Sequence, residues 1–188
     1  IGSYFVITNG ILIAIILGFA ILSIYFYSTK IVDSGLGEFF VGVKGSMIVI
    51  GAFYIQSGEV NIESILAGIV VGTLSSLVLF IASFPDHDAD KSKGRKTLVI
   101  VVGKEKATKL FWIFPLFAYS IILIGISLNL FPLLSLICFL SLPLMIKSGL
   151  GLQKNYNSVS DLVPFMSSSL KSSRITGILF VLSFLIPI

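Results

Sequence analysis

Residues 64–84 form an unbroken run of 21 residues without a charged side chain, and residues 110–128 form a second such run of 19. A helix that crosses the hydrocarbon core of a bilayer needs about 20 mainly apolar residues, whereas a transmembrane β-strand needs only about 9–11. Because the chain is 56% hydrophobic and only 12% charged, it cannot cover a surface that faces water. The sequence therefore predicts an all-α, polytopic bundle of transmembrane helices, in which each helix pairs its own backbone groups.

Six spans are predicted from the apolar segments and the polar breaks between them, and residues 1–188 are predicted to form one transmembrane domain without an internal repeat. The spans cover residues 4–27, 38–56, 64–84, 110–128, 131–146 and 175–188. Gly68 and Gly72 in the third span favour the close approach of a neighbouring helix. Pro115 predicts a kink in the fourth span. Residues 147–174, which are rich in Ser and Asn, are predicted to be a polar connection.

The positions of the basic residues predict the orientation of the bundle. With six spans, one side of the membrane carries the loops 28–37, 85–109 and 147–174, and the other side carries the loops 57–63 and 129–130. Twelve of the 13 Lys and Arg residues fall on the first side, Lys44 lies within a span, and none falls on the second side. Because cytoplasmic loops of membrane proteins are enriched in Lys and Arg, we expect residues 85–109 to face the cytoplasm.

Residues 86–109, called the charged segment below, hold 11 of the 22 charged side chains, and any chemistry is expected there. If the helix of the third span continues past Pro85, Asp86 and Asp90 are one turn apart on one helix face. Two carboxylates so placed repel each other unless a cation lies between them. Asp88 points to another face of such a helix and is expected to be solvated.

Two interpretations of the charged segment need no enzyme. The segment can be a solvated loop whose lysines attract anionic lipid, since most runs of charge are solvated faces. It can also be a calcium loop, because Asp86, Asp88 and Asp90 match the first three ligands of an EF-hand. Against calcium, Lys91 occupies the position that requires glycine, and Thr97 occupies the position of the bidentate glutamate.

A magnesium and diphosphate site is the third interpretation. Protein carboxylates hold Mg²⁺ through one or two oxygens, and substrate phosphates complete its coordination shell. Arg95 and Lys96 follow the acidic residues in the sequence and can neutralise a phosphate leaving group.

A longer pattern in the charged segment is Asp86-xxx-Asp90-xxx-Gly94-Arg95-Lys96-Thr97-Leu98, followed by Val102-Gly103. It resembles the second aspartate-rich motif of the UbiA superfamily of intramembrane aromatic prenyltransferases. Other segments are similar to the branch that prenylates 1,4-dihydroxy-2-naphthoate in menaquinone synthesis, namely Gly35-Leu36-Gly37-Glu38, residues 51–58, and Leu170-Lys171 with Thr176-Gly177-Ile178-Leu179. The resemblance covers most of the chain, and the aspartate-rich motif is its most specific part.

The resemblance implies a bundle of nine helices with a lateral opening to lipid, of which this chain supplies about six, the C-terminal two-thirds. Members of the family have an earlier Asn-Asp-xx-Asp-xxx-Asp motif between their second and third helices, and this chain does not contain it. The chain is therefore expected to be a fragment without the N-terminal helices and half of the metal site, inactive on its own. Many members also have Asn just before the second motif, where this chain has Ala82 and Ser83.

Roles for individual residues also follow from the resemblance. Asp86 and Asp90 are expected to be the catalytic, metal-binding residues and to hold Mg²⁺ bridged to the prenyl diphosphate. Arg95 and Lys96 are expected to bind the diphosphate. Lys44, inside the second span, is a further candidate for a diphosphate contact, although a lysine there can also extend to the membrane interface.

Several other side chains have alternative interpretations. Glu38 begins the second span and can pair with Lys44 or point toward the aromatic substrate. His87 is the only histidine, and as an exposed loop imidazole it is expected to be a bystander. The aromatic residues of the fourth span can line a prenyl channel, but packing in the core or against lipid is expected for them; they are Trp112, Phe114, Phe117 and Tyr119.

The function expected from the resemblance is Mg²⁺-dependent transfer of a prenyl group from an allylic prenyl diphosphate to an aromatic acceptor. The expected acceptor is 1,4-dihydroxy-2-naphthoate, and the other partner is membrane lipid, with no nucleic acid. Two alternatives stay open. The chain can be a non-catalytic membrane protein, such as a remnant of the fold, a scaffold or a transport subunit, or it can belong to a prenyltransferase of another lipoquinone or lipid branch.

Overall fold

The computed structural model describes residues 1–26 and 35–186, and within these ranges every regular element is a helix. In chain order the helices are α1 (Gly2–Asn9), α2 (Ile11–Phe26), α3 (Gly37–Ser57), α4 (Ile62–Ala82), α5 (His87–Ser92), α6 (Leu98–Val102), α7 (Lys104–Leu110), α8 (Ile113–Ser127), a 3-10 helix (Leu133–Ser141), α9 (Leu142–Asn155) and α10 (Val159–Leu185). The predicted all-α class is thereby confirmed.

Four helical segments of the described chain are long and apolar enough to cross a membrane. They are Gly37–Ser57, Ile62–Ala82, Lys104–Ser127 and Leu133–Asn155. The two remaining predicted spans correspond to α2, a shorter apolar helix of 16 residues, and to α10, which has 27 residues and is less apolar. The architecture is that of a membrane helix bundle, as predicted.

The first predicted span is not one continuous helix. It breaks at Gly10, whose φ of 81° and ψ of −162° separate α1 from α2. Only glycine adopts such a backbone conformation without a steric penalty. Tyr27, at the predicted end of this span, and residues 28–34 of the following loop lie outside the described residues.

The helix of the fourth span, in which Pro115 predicts a kink, is interrupted just before that proline. Helix α7 ends at Leu110 and α8 begins at Ile113, so that Phe111 and Trp112 interrupt the helix. Proline has no N–H to donate to the carbonyl four residues earlier, here that of Phe111, and its ring crowds that carbonyl. The helical segment itself begins at Lys104, six residues before its predicted start.

The polar connection predicted for residues 147–174 is wrong. Helix α9 continues to Asn155 and α10 begins at Val159, so that Lys171 and Arg174 belong to a helix and not to a loop. Some hydroxyl groups of α10 bond to neighbouring helices: the Ser172 hydroxyl donates to the Ser141 carbonyl at 2.9 Å. Because serine can satisfy its hydroxyl inside a membrane bundle in this way, a serine-rich composition does not require a loop.

Helix α4 packs against α3, α8 and α10 and is the centre of the bundle. At one end of α4, a core cluster joins the charged segment to the α9–α10 hairpin; its buried members are Leu77, Phe80, Ile81, Phe84, Val99, Ala107, Phe111, Met145, Leu152 and Leu162. The charged segment and the α9–α10 turn therefore lie at the same end of the bundle, as the predicted orientation requires.

Glycine and serine residues bring α3 and α4 into close contact. A Cβ atom on Gly72 would overlap the Gly42 carbonyl oxygen and the Ser46 hydroxyl, and a Cβ on Gly68 would lie 2.9 Å from the Ser46 carbonyl oxygen. Without side chains at these positions the two backbones touch, as small-residue motifs allow in membranes. The close approach of a neighbouring helix predicted from Gly68 and Gly72 is confirmed. The contact sets the position of α3 along α4.

Candidate functional site

Asp86 and Asp90 lie one helical turn apart at the start of the charged segment. Helix α4 ends at Ala82 and does not continue past Pro85; a turn leads instead into α5. The backbone N–H of Asp90 donates to the Asp86 carbonyl at 2.8 Å, which is the hydrogen bond of a helical turn. The predicted spacing of the two acids is therefore present, although a new short helix provides it.

The chain folds back after α5 so that Arg95 meets Asp90. Gly94, with a φ of 78°, permits the reversal, and the backbone N–H of Arg95 donates to the Asp90 carbonyl at 3.0 Å. The guanidinium Nη1 then donates to Oδ1 of Asp90 at 2.9 Å. The Asp90 side chain is only 13% exposed, whereas that of Arg95 is 49% exposed. One predicted metal ligand and one predicted diphosphate contact are thus in direct contact.

Asp86 is exposed and its carboxylate has no hydrogen bond or ion pair to any residue in the described ranges. Together with Asp90 it offers hard oxygen donors, the type that Mg²⁺ prefers. Among residues 1–26 and 35–186, no group of three or more His, Cys, Asp or Glu side chains could hold a metal ion. The donor set fits a cation that takes its remaining ligands from phosphate oxygens, and it does not fit a closed metal cage made by these residues alone.

Asp88 points away from this pair and connects α5 to α7. Its carboxylate accepts hydrogen bonds from Nδ1 of His87 at 2.7 Å and from Nζ of Lys104 at 3.2 Å. These two contacts hold the pKa of Asp88 below its ordinary value. The Asp88 side chain is 81% exposed, as expected, but that of His87 is only 11% exposed, so the expectation of an exposed imidazole is wrong.

Within the charged segment, the residues after Arg95 lead toward the bundle interior. Lys96 is exposed, and its carbonyl oxygen would lie 3.4 Å from a Cβ atom on Gly35, which has a φ of 77°. Thr97 then caps α6, its hydroxyl accepting a hydrogen bond from the Ile100 N–H at 3.4 Å. The charged segment therefore packs directly against the residues that precede α3.

An open cavity of about 430 Å³ is lined by Leu98, at the start of α6 within the charged segment. Helices α3, α4 and α8 form its walls, and its lining is mainly apolar: Phe39, Ile69, Leu98, Ile113, Phe114 and Phe117. Two of the aromatic residues considered for a prenyl channel, Phe114 and Phe117, are in this lining. Tyr119 is in the core instead, where its hydroxyl bonds with those of Ser141 at 2.6 Å and Thr176 at 3.1 Å.

Glu38 is the acidic group of the cavity lining, and sequence reasoning left its orientation open. The residue is only 4% exposed, and neither carboxylate oxygen has a hydrogen-bond partner in the described chain. The pair with Lys44 that the sequence allowed is not formed within these residues. Its place at the first turn of α3, whose only other charged side chain is Lys44, was the available signal that set Glu38 apart.

Lys44 is exposed on α3 and makes no ion pair within the described residues. Its neighbour Gly45 faces α4, with a Cβ position only 2.9 Å from the Cα of Gly72. Lys44 therefore lies on another face of α3, away from that interface. Its proposed contact with a diphosphate stays a prediction.

Comparison with known proteins gives one family and two relatives. A model of the UbiA prenyltransferase family matches residues 1–170. Two proteins named 1,4-dihydroxy-2-naphthoate octaprenyltransferase, from Bacillus subtilis (strain 168) and Escherichia coli (strain K12), are each 29% identical to the chain, over 155 and 157 residues. These matches cover 80% and 79% of the chain but 48% of each relative, so the chain spans about half the length of the curated relatives it matches. No solved structure matches significantly.

Proposed function

The chain belongs to the UbiA prenyltransferase family, and from this we propose that it forms part of a membrane enzyme that prenylates 1,4-dihydroxy-2-naphthoate in menaquinone biosynthesis. The donor is an allylic prenyl diphosphate, and the reaction depends on Mg²⁺. The names of the two relatives support this acceptor. The observation that carries the proposal is the pair of acids one turn apart, with Arg95 on the second acid and an apolar cavity a few residues away.

The charged segment is proposed to bind the diphosphate end of the donor. Asp86 and Asp90 would hold Mg²⁺, which when bound offsets the negative charge that develops on the departing diphosphate. Arg95 presents a planar guanidinium that can donate to two phosphate oxygens at once. Lys96, the next residue in the chain and also exposed, adds a second positive charge where negative charge develops in the transition state.

The reaction forms one bond and breaks two. The allylic carbon–oxygen bond of the donor breaks, and its electron pair leaves with the diphosphate. A ring carbon of the electron-rich aromatic acceptor then supplies the electron pair of a new carbon–carbon bond to the allylic carbon. The same ring carbon releases the group that it carried, a proton or, from a carboxylated carbon, carbon dioxide, and the electron pair of that bond restores the aromatic ring. The apolar walls of the cavity, with Phe39, Phe114 and Phe117 among them, keep water from the electron-deficient allylic group.

An acceptor panel tests the proposed function. The complete natural polypeptide that contains this chain is purified in lipid and incubated with one radiolabelled prenyl diphosphate and a series of aromatic acceptors, with Mg²⁺ or with a chelator. We expect labelled product only with Mg²⁺ and most of it from 1,4-dihydroxy-2-naphthoate. Product from another acceptor alone would assign the protein to a different branch, and the absence of product from every acceptor would favour a scaffold or transport role.

A further inference from the structure

The carboxylate of Glu38 is buried in the apolar cavity without a partner among the described residues. Taking an ionisable group out of water is unfavourable unless another group compensates it. Buried polar groups in native proteins are nearly always hydrogen-bonded, so an exception calls for an explanation. The explanation depends on which hydrogen-bond donors can reach the two carboxylate oxygens of Glu38.

The backbone at Glu38 is fixed by contacts with α4, so the burial of the Glu38 side chain does not result from a loosely packed helix end. The Ser76 hydroxyl on α4 donates to the Glu38 carbonyl oxygen at 2.7 Å. One turn later, Gly42 packs so closely that a Cβ atom there would lie 2.7 Å from the same hydroxyl. These contacts fix the first turn of α3 against α4, and the Glu38 side chain enters the cavity from a defined place.

The polar groups around the cavity have other partners. The hydroxyls of Ser46 and Thr73 donate to their own helix at Gly42 and Ile69, at 3.0 and 2.7 Å, and that of Ser76 is used as described above. The backbone N–H groups of Glu38 and Leu98 approach the Glu38 carboxylate but form no well-aligned hydrogen bond with it. Within the described part of the chain, no side-chain donor pairs with Glu38, so both carboxylate oxygens are available to a bound molecule.

The cavity restricts what such a molecule can be. It must bring a hydrogen-bond donor to the carboxylate, and the rest of it must fit between apolar and aromatic side chains such as Phe114 and Phe117. A volume of about 430 Å³ lies in the range of small-molecule sites and has room for a bicyclic ring. A phenolic ring meets these conditions, since it combines a flat apolar face with an O–H donor.

We propose that Glu38 binds the aromatic acceptor by accepting a hydrogen bond from a ring hydroxyl, and that it thereby orients the ring in the cavity formed by α3, α4 and α8. The inference rests on the proposed function. Leu98 lines the cavity and follows Arg95 and Lys96 by only a few residues in the charged segment, so an acceptor on Glu38 lies near the residues assigned to the donor. An analogue without the hydroxyl leaves the carboxylate buried and unpaired, and such sites reject those analogues strongly.

Three variants of the complete polypeptide test this assignment: Glu38→Leu, Glu38→Gln, and the control Glu59→Leu in the exposed α3–α4 turn. For Glu38→Leu we expect an acceptor KM about 100-fold higher, and for Glu38→Gln, which keeps one oxygen acceptor, about tenfold higher. The KM for the prenyl diphosphate should change by less than about twofold in both. Glu38→Leu should also unfold at a higher temperature, because an unpaired buried carboxylate is removed.

A binding measurement without prenyl diphosphate separates this inference from the proposed function. The probes are 1,4-dihydroxy-2-naphthoate and 2-naphthoate, which has the same ring and carboxylate without hydroxyls. The natural protein should bind the first at least about tenfold more tightly than the second, and Glu38→Leu should bind both equally. An unchanged preference in Glu38→Leu overturns the role of Glu38, whether or not prenyl transfer is detected. Normal binding with no transfer to any acceptor overturns the proposed function alone.

Discussion

Arg95 donates from Nη1 to Oδ1 of Asp90 at 2.9 Å. A positively charged side chain therefore already contacts Asp90, the less exposed acid of the Asp86–Asp90 pair. Asp86, one turn earlier, is exposed and has no such partner within the described residues. If both acids hold Mg²⁺ as proposed, Oδ2 of Asp90 is the oxygen that Arg95 leaves available, and the other N–H groups of Arg95 can donate to a second anion. The diphosphate of the donor is the anion that the proposed function supplies.

Replacing either acid by its amide tests the metal site. Asp86→Asn and Asp90→Asn each remove one negative charge, and we expect prenyl transfer by the complete polypeptide to fall by about 100-fold or more. Asp88→Asn is the matched control on the same helix, and its effect should stay within about threefold because its side chain is 81% exposed and points elsewhere. Initial rates over a Mg²⁺ titration are the measurement. Equal losses in all three variants would mean that α5 as a whole, and not the pair, is needed.

Arg95 is expected to act on the donor and not on stability. Since the ion pair with Asp90 is about half exposed on the Arg95 side, Arg95→Leu should lower the free energy of unfolding by no more than about 1 kcal/mol. The KM for the prenyl diphosphate should nevertheless rise at least about tenfold, and Arg95→Lys should recover only part of the loss. Lys93→Leu, an exposed cation on the same segment, is the control. A KM for Arg95→Leu no higher than that of the control would exclude the contact.

The contacts of Asp88 predict a limited pH dependence of the protein's stability. Its pKa is lowered by His87 and Lys104, so the folded state favours the charged carboxylate, and the contribution to stability is present above the ordinary aspartate pKa of about 3.9. That contribution is lost as the pH falls through the lowered pKa of Asp88. The difference in unfolding temperature between the natural protein and Asp88→Asn should be constant at neutral pH and vanish in acid. A difference that persists well below the ordinary aspartate pKa would contradict the assigned contacts.

The α3–α4 interface predicts which glycine cannot be replaced. Gly72→Ala places a methyl group against the Gly42 carbonyl and the Ser46 hydroxyl, and overpacking of this kind costs about 1–3 kcal/mol. Gly18→Ala in α2 is the matched control, because a Cβ there meets nothing within 4 Å. Thermal unfolding in a mild detergent should show a lower midpoint for Gly72→Ala only. Because the interface also positions Glu38, the acceptor KM of Gly72→Ala should rise as well.

Cysteine labelling tests the predicted orientation. The single natural cysteine, Cys138, is buried, so a membrane-impermeant maleimide should leave the natural protein unlabelled. Ser92→Cys lies in the charged segment and Ser57→Cys at the opposite end of the bundle, and both positions are exposed. In intact cells only Ser57→Cys should react, and in inverted membrane vesicles only Ser92→Cys. The reverse pattern would place the charged segment outside the cytoplasm.

Local spacing along the chain was enough to determine the class of fold and the pair of acids. Uncharged runs of about 20 residues require transmembrane helices in any tertiary arrangement. Likewise, Asp86 and Asp90 are four residues apart, so any helix through them puts both on one face. The interruption of the helix before Pro115 follows from the missing N–H of one residue. Each of these features depends on residues within a few turns of each other.

Burial depends on which helices meet, and only the tertiary structure decided it. Residues 147–155 and 159–174 are helical although the segment is rich in serine, and the hydroxyl of Ser172 is satisfied by the carbonyl of Ser141 on another helix. Glu38 is buried because α4, α6 and α8 surround the first turn of α3. No periodicity in the sequence predicts that these helices pack together there. Whether a charged side chain is solvated, paired or left unpaired in a cavity is a property of distant segments in contact, so composition and spacing cannot determine it.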